Sequence, residues 1–117
     1  MNIRSALARI DGAFAARIRR GITVDGITLR AADSDRTAFT QLLTMLNEAE
    51  RLGMLPAQTA IADLDGQPHT LPTDQVRALL VQYGGIYQAL WLQRVGLENA
   101  VKTAPDDNAR AAIEIQF

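Results

Sequence analysis

Cysteine is absent from this chain. That excludes disulfide staples, thiolate nucleophiles and cysteine-ligated metals, and it fits a cytoplasmic product. Histidine occurs once, as His69, so no histidine-based zinc site can be built. Charge of one sign is not in excess either. A net charge of −1 gives no global attraction to nucleic acid or to an anionic membrane. No stretch approaches the roughly 20 consecutive apolar residues that span a bilayer. The arginine-interrupted N-terminus lacks the apolar core of a signal peptide. Proline is scarce, at four residues, and none falls between Thr73 and Thr103.

What remains is 117 residues, 48% of them hydrophobic, which is one domain's worth of chain with enough apolar side chains for a core. The proline-free stretch Thr73 to Thr103 organises it. Val76, Leu79, Leu80, Tyr83, Ile86, Tyr87, Leu90, Trp91, Leu97 and Val101 recur there at helical spacing and share one face. Thr73 reads as its N-cap, and Lys102 and Pro105 suit its end. The aromatic residues Tyr83, Tyr87 and Trp91 fit core packing better than a base-stacking platform, because aliphatic residues interleave with them. Trp91 is expected to be anchored in the core or at an interface. Gly84-Gly85 marks a site where the helix could kink.

A second stripe, Ala78, Val81, Gly85, Ala89, Leu92 and Gly96, lies opposite the large one. Two readings stay open. Either this is a core helix sandwiched within one chain, or one face serves the core and the other self-association.

The rest of the chain follows in order. Asn2 to Arg20 is an amphipathic helix with Ile3, Leu7, Ile10, Phe14 and Ile18 on its apolar face. Its arginines scatter rather than gather into a nucleic-acid stripe. In ITVDGITLR, Asp25-Gly26 is the pair that a two-residue type I′ turn requires, setting Val24 opposite Ile27 and Ile22 opposite Leu29. Asp33-Ser34-Asp35 reads as a capping cluster. A helix from about Asp35 to Leu52 carries Phe39, Leu42, Leu43, Met45, Leu46, Ala49 and Leu52, with Gly53 at its C-terminal turn. Thr59 to Leu71 reads as a second hairpin around Asp65-Gly66. A two-residue turn there puts Ala60, Ala62, Leu64 and Leu71 on one face with Gln67 and His69, and Pro68 keeps its strand short or at an edge. The repeated order suggests duplication of a supersecondary unit. Asp106 to Asn108 carry turn or cap chemistry. Ile113, Ile115 and Phe117 then alternate with polar residues at a strand's period. They are expected to dock on the chain's own hairpins or on a neighbour's sheet.

The expectation is an α+β fold of three helices and two short β-hairpins in the order α-ββ-α-ββ-α. The long last helix is central to a single domain of residues 1–104, and residues 105–117 form a strand-like arm. The chemistry of sites is thin. Asp63-Leu64-Asp65-Gly66 resembles the start of a calcium loop, but glycine falls fourth rather than sixth, so a turn is the better reading. Asp33 and Asp35 lie where helix caps belong. No phosphate loop follows Gly84-Gly85, and His69 has no serine-histidine-acid context. The reading is of a non-enzyme without cofactor or metal. Its candidate interaction residues are the stripe Ala78, Val81, Gly85, Ala89, Leu92 and Gly96 and the arm residues Ile113, Ile115 and Phe117.

The succession GITVDGITLRAADSDR, HTLPTDQV, a long helix with Tyr83 and Leu90, and NAVKTA before an acidic turn resembles the uncharacterised domain of unknown function 4376, found in tailed-phage and prophage tail genes. The resemblance covers nearly the whole chain, and its most specific piece is Gly21 to Arg36. It implies a structural or fibre-associated phage tail protein that binds other tail proteins of the fibre or baseplate, either in the virion tail or in the host cytoplasm during assembly. It brings no catalytic residues. An assembly chaperone that leaves before maturation is the alternative, and a small regulatory or nucleic-acid adapter ranks below it. Self-association would be through the second stripe. Neither nucleic acid nor membrane is an expected partner.

Overall fold

The computed structural model describes residues 1–117. Helix α1 (Ile3–Arg19) starts where Asn2 Oδ1 accepts the Ser5 amide proton at 2.8 Å, an N-cap that satisfies one of the helix's unpaired donors. Strands β1 (Ile22–Val24) and β2 (Ile27–Leu29) pair antiparallel, with Val24 opposite Ile27 and Ile22 opposite Leu29. Asp25 and Gly26 both take positive φ, 52° and 78°, as the primed turn demands. Ile22, Val24 and Leu29 are buried. On the other face Thr23 and Thr28 share a 2.7 Å hydroxyl hydrogen bond.

Gly21 joins α1 to this hairpin at φ +78°, and a Cβ there would lie 2.6 Å from the Leu29 carbonyl oxygen and 2.8 Å from Thr28 Cγ2. The left-handed conformation alone costs an L-residue about 1–2 kcal/mol. Gly21→Ala must also push a strand aside, so an expected loss of about 2–3 kcal/mol should appear in urea melts. Gly26→Ala, with the same φ and open space around it, should lose only the conformational part. Equal losses for the two would show that the contact with β2 is not what excludes a side chain.

Helix α2 (Asp33–Arg51) begins two residues ahead of the expected start. Its cap is Ala32, with no side-chain bond. Asp33 and Asp35 sit inside the first turn, where carboxylates favour the helix dipole. Asp33 ion-pairs with Arg36, whose guanidinium also donates to the Ala31 carbonyl at 2.6 Å. At the far end Met54 N–H bonds Ala49 O and Gly53 N–H bonds Glu50 O, with Gly53 at φ +70°, a Schellman stop.

The second hairpin differs from expectation by one residue. β3 (Gln58–Ala62) and β4 (Pro68–Pro72) pair with Ile61 opposite His69 and Thr59 opposite Leu71. The connection is the five-residue loop 63–67, not a two-residue turn. Asp63 Oδ1 accepts the amides of Asp65 and Gln67, both at 2.9 Å. A one-residue slip exchanges the faces of a strand, so Ile61 is buried while Ala60 and Ala62 face water. Burying isoleucine removes far more apolar surface than burying two alanines. The two hairpins, unlike in their turns, are joined by a 2.7 Å bond from the Leu64 amide to the Thr28 carbonyl.

Helix α3 (Thr73–Thr103) is continuous through Gly84-Gly85. Thr73 is its first residue, not its cap. Its amide bonds Ala57 O and its hydroxyl Pro56 O, tying the helix start to the segment that leads into β3. Val76, Leu79, Leu80 and Tyr83 enter the main core with Ile22, Val24, Leu29, Leu46 and Ile61. Tyr83 Oη donates to the Arg30 carbonyl at 2.7 Å, and burial pushes its pKa up to about 12. A second, smaller core holds Ala6, Ile10 and Val101 at the other end of α3. The fold is α+β, with α3 running through both cores.

The arm is the clearest correction. After helix α4 (Asp107–Ala111), capped by Asp106 Oδ1 on the Ala109 amide at 2.8 Å, Ile113 to Phe117 form no strand. They meet neither hairpin but pack on the small core between α1 and α3. Phe117 stacks edge-on against Phe14 at 5.4 Å, and the Gln93 amide holds the Gln116 carbonyl. A period-two pattern fits any extended segment with one side covered, and here helices cover it. Deleting 112–117 should therefore lower the melting temperature by several degrees and strip amide protection from α1. An unchanged melt would mean that the arm is unbound.

The molecule is long, 59 × 28 × 21 Å, with a radius of gyration of 18.2 Å where a compact chain of this length has about 13 Å. Only 17 of 117 residues are buried, because two small cores strung along one helix enclose less than a single round one.

Candidate interaction surface

The second stripe of α3 faces solvent. Ala78, Val81, Gly85, Ala89, Leu92 and Gly96 are all exposed, Val81 by 62% and Leu92 by 57%. The sandwiched-core reading is thereby overturned. α1, α2 and the hairpins all pack on the opposite side of the helix, and no element of the chain covers this one. Apolar side chains left in water along a helix face forfeit the burial that would stabilise them.

The glycines of this helix sharpen the point. A Cβ built on Gly84, Gly85 or Gly96 meets no atom within 4 Å. Glycine in a helix interior costs about 1 kcal/mol relative to alanine, and packing within this chain requires none of the three.

A second exposed apolar patch lies at the end of α2. Met45, Leu52 and Met54 are exposed, Met54 by 71%, beside Ala49 and Pro56. In the sequence Met45 and Leu52 belong to the same apolar set as Phe39, Leu42, Leu43 and Leu46. The structure buries only the narrower strip around Leu46, since α3 and the hairpins cover one side of α2 and nothing covers the rest.

Trp91 is 41% exposed, so it does not anchor the core. It lies edge-on to Phe14, 6.4 Å away, at the rim of a groove of about 750 Å³ between α1, the start of α2 and α3. Arg36 stacks over Tyr87 at 3.8 Å, and Arg94 lies 4.9 Å from the Phe14 ring. Both guanidiniums are already neutralised, Arg36 by Asp33 and Arg94 by Asp11 and Glu98. Arg19, exposed and without an ion pair, also lines the groove, so it joins aromatic surface to one free guanidinium. The arm residues Ile113, Ile115 and Phe117 are half-buried in their own chain, and the arm reaches the edge of the α3 stripe where Gln93 holds the Gln116 carbonyl.

The sequence missed the pairing of His69 with Asp63, whose Nε2 and Oδ2 are 2.8 Å apart. The residues are six apart in sequence, and the register set by the five-residue loop, with Ile61 opposite His69, brings them diagonally within reach. The hydrogen bond from His69, and then the amide of Gln67, hold the Asp63 carboxyl below its ordinary value of 3.8. Its oxygens are engaged by amides and imidazole, which is turn chemistry rather than a calcium site. No group of three or more histidine, aspartate or glutamate side chains converges. A lowered folded-state pKa contributes stability above the unfolded value and loses it as pH falls through the folded one. Asp63→Asn should therefore flatten the loss of thermal stability between pH 5 and the acid range below about 4. An identical pH dependence in the variant would show that this carboxylate does not stabilise the loop. No helix is long and apolar enough to cross a membrane.

No family model matches this chain, and neither a curated protein nor a solved structure matches it.

Proposed function

We propose that this chain is a non-enzymatic structural protein that works by binding other proteins, and that its setting is the tail of a tailed phage. The observation that carries the binding role is the uncovered outer face of α3, apolar at Val81 and Leu92 and free of its own chain along its length. The elongated body supports it, because a rod with little core gains most when partners cover its sides. The phage setting rests on the resemblance of Gly21 to Arg36 and the segments that follow it. On this reading the partners are fibre or baseplate proteins.

The test has two parts. Mass spectrometry of purified particles from a phage carrying the gene should find the chain at a fixed ratio to other tail proteins. Presence in infected cells but not in particles would assign it instead to assembly, as a chaperone. Pull-down of the fibre and baseplate proteins of that phage with Leu92→Glu should then recover less partner than the unaltered chain does. Undiminished recovery would remove the α3 face from the proposal.

A further inference from the structure

We infer that the outer face of α3 is covered by a second copy of this chain, lying antiparallel across a two-fold axis between Gln88 and Ala89. The inference rests on the reading of α3 as an interaction face and names its occupant; tail proteins then meet the paired copies, so that Leu92→Glu lowers their recovery by breaking the pair.

Size complementarity supplies the register. Around that axis Leu92 of one copy falls opposite Gly85 of the other, and Val81 opposite Gly96. In a two-fold contact each pairing occurs twice, since whatever one residue meets is met in return. Both large side chains of the stripe thus find a glycine. A parallel pairing would set Leu92 on Leu92 and Val81 on Val81, and leave the glycines facing each other across a gap.

The glycines themselves are the second observation. Of the four glycines inside helices, three lie in α3, and a Cβ on any of those three would meet open space in the single chain. They weaken the helix without serving its own packing. Against a second helix, a bare backbone at Gly85 and Gly96 admits the partner's Leu92 and Val81 at the 8–10 Å spacing of packed helices.

Charge agrees with the same arrangement. From Ala78 to Asn99 the stripe and its flanks, Gln82, Gln88 and Gln93 among them, carry no formal charge. The charges stand at the two ends. At the start Asp74, 81% exposed and 2.6 Å from Arg77, shares that one guanidinium with Glu50, which leaves this end net negative, and exposed Lys102 is in the last turn. Antiparallel pairing brings the Asp74 end of one copy to the Lys102 end of the other and opposes the two helix dipoles. A parallel pairing would bring like ends together.

The lack of native cysteine gives a direct test. Sedimentation of the unaltered chain should give twice its 12.8 kDa mass, and Ala89→Glu, which sets two carboxylates near the axis, should give a monomer with unchanged helical circular dichroism. Under mild oxidation Ala89→Cys should form a disulfide dimer. Gly96→Cys should not, because antiparallel copies hold those positions about 22 Å apart, beyond the reach of a disulfide. A monomeric unaltered chain at high concentration overturns the inference. So does efficient linkage at position 96, which would mean parallel helices, or a dimer that survives Ala89→Glu. The interaction-face reading fails separately, if substitutions at Val81 and Leu92 alter neither self-association nor recovery of tail proteins.

Discussion

Leu79→Ala should cost about 2–5 kcal/mol, the range for removing a fully buried leucine side chain where the surroundings cannot close the gap. Leu79 is 0% exposed and belongs to the ten-residue cluster in which α3 meets α2 and both hairpins. Besides α3 that cluster draws on β1, β2, α2 and β3, so collapse into the void would have to move several backbones at once. At about 4 °C per kcal/mol the melting temperature should fall by roughly 8–20 °C. In urea the midpoint should drop while the slope stays the same, because the surface exposed on unfolding is unchanged. A loss below about 1 kcal/mol would mean that this core is loosely packed and refills.

Ile10→Ala should cost a similar amount, about 2–5 kcal/mol, but not in the same place. Ile10 is 0% exposed in a cluster with only Ala6 and Val101 as its other buried members. Leu7, Leu97, Ile113, Ile115 and Phe117 lean on that trio. With Ile10 truncated, the small core loses its largest buried side chain. The region should open on its own, since stability within a chain is distributed in cooperative units rather than evenly. Hydrogen exchange should show protection lost in α1, α4, the arm and the last turns of α3, while β1 to β4 and the first half of α3 keep theirs. Uniform loss throughout the chain would show the two cores to be one cooperative unit. The link that could produce such coupling is visible. Phe14 bridges the halves through its contacts with Tyr87, Trp91 and Phe117, and Arg94 ties α3 to Asp11 of α1.

Local chemistry was legible in the sequence wherever a few adjacent residues decide the outcome. Asp25-Gly26 dictated its turn and the register of the first hairpin, because two positive φ angles in succession leave few other choices. Gly53 ended α2, and the proline-free run from Thr73 to Thr103 coincides with α3, because apolar period and missing breakers define a helix without outside help. The candidate surface was legible as a stripe at the right spacing. Two alanines against one isoleucine in β3, and the cap that Asp63 makes for its own loop, weighed across several residues, so the second hairpin's register waited on the tertiary structure. The same holds for the arm. Alternation at Ile113, Ile115 and Phe117 says that one side is covered, while the cover, a cleft between α1 and α3, depends on α1 residues from the far end of the chain. For α3, periodicity established two apolar faces by sequence alone. Only the packed structure decided that the face with large residues is enclosed and that the one with Gly85 and Gly96 is open, since a pattern along a helix carries no information about how many neighbours the rest of the chain can bring to it.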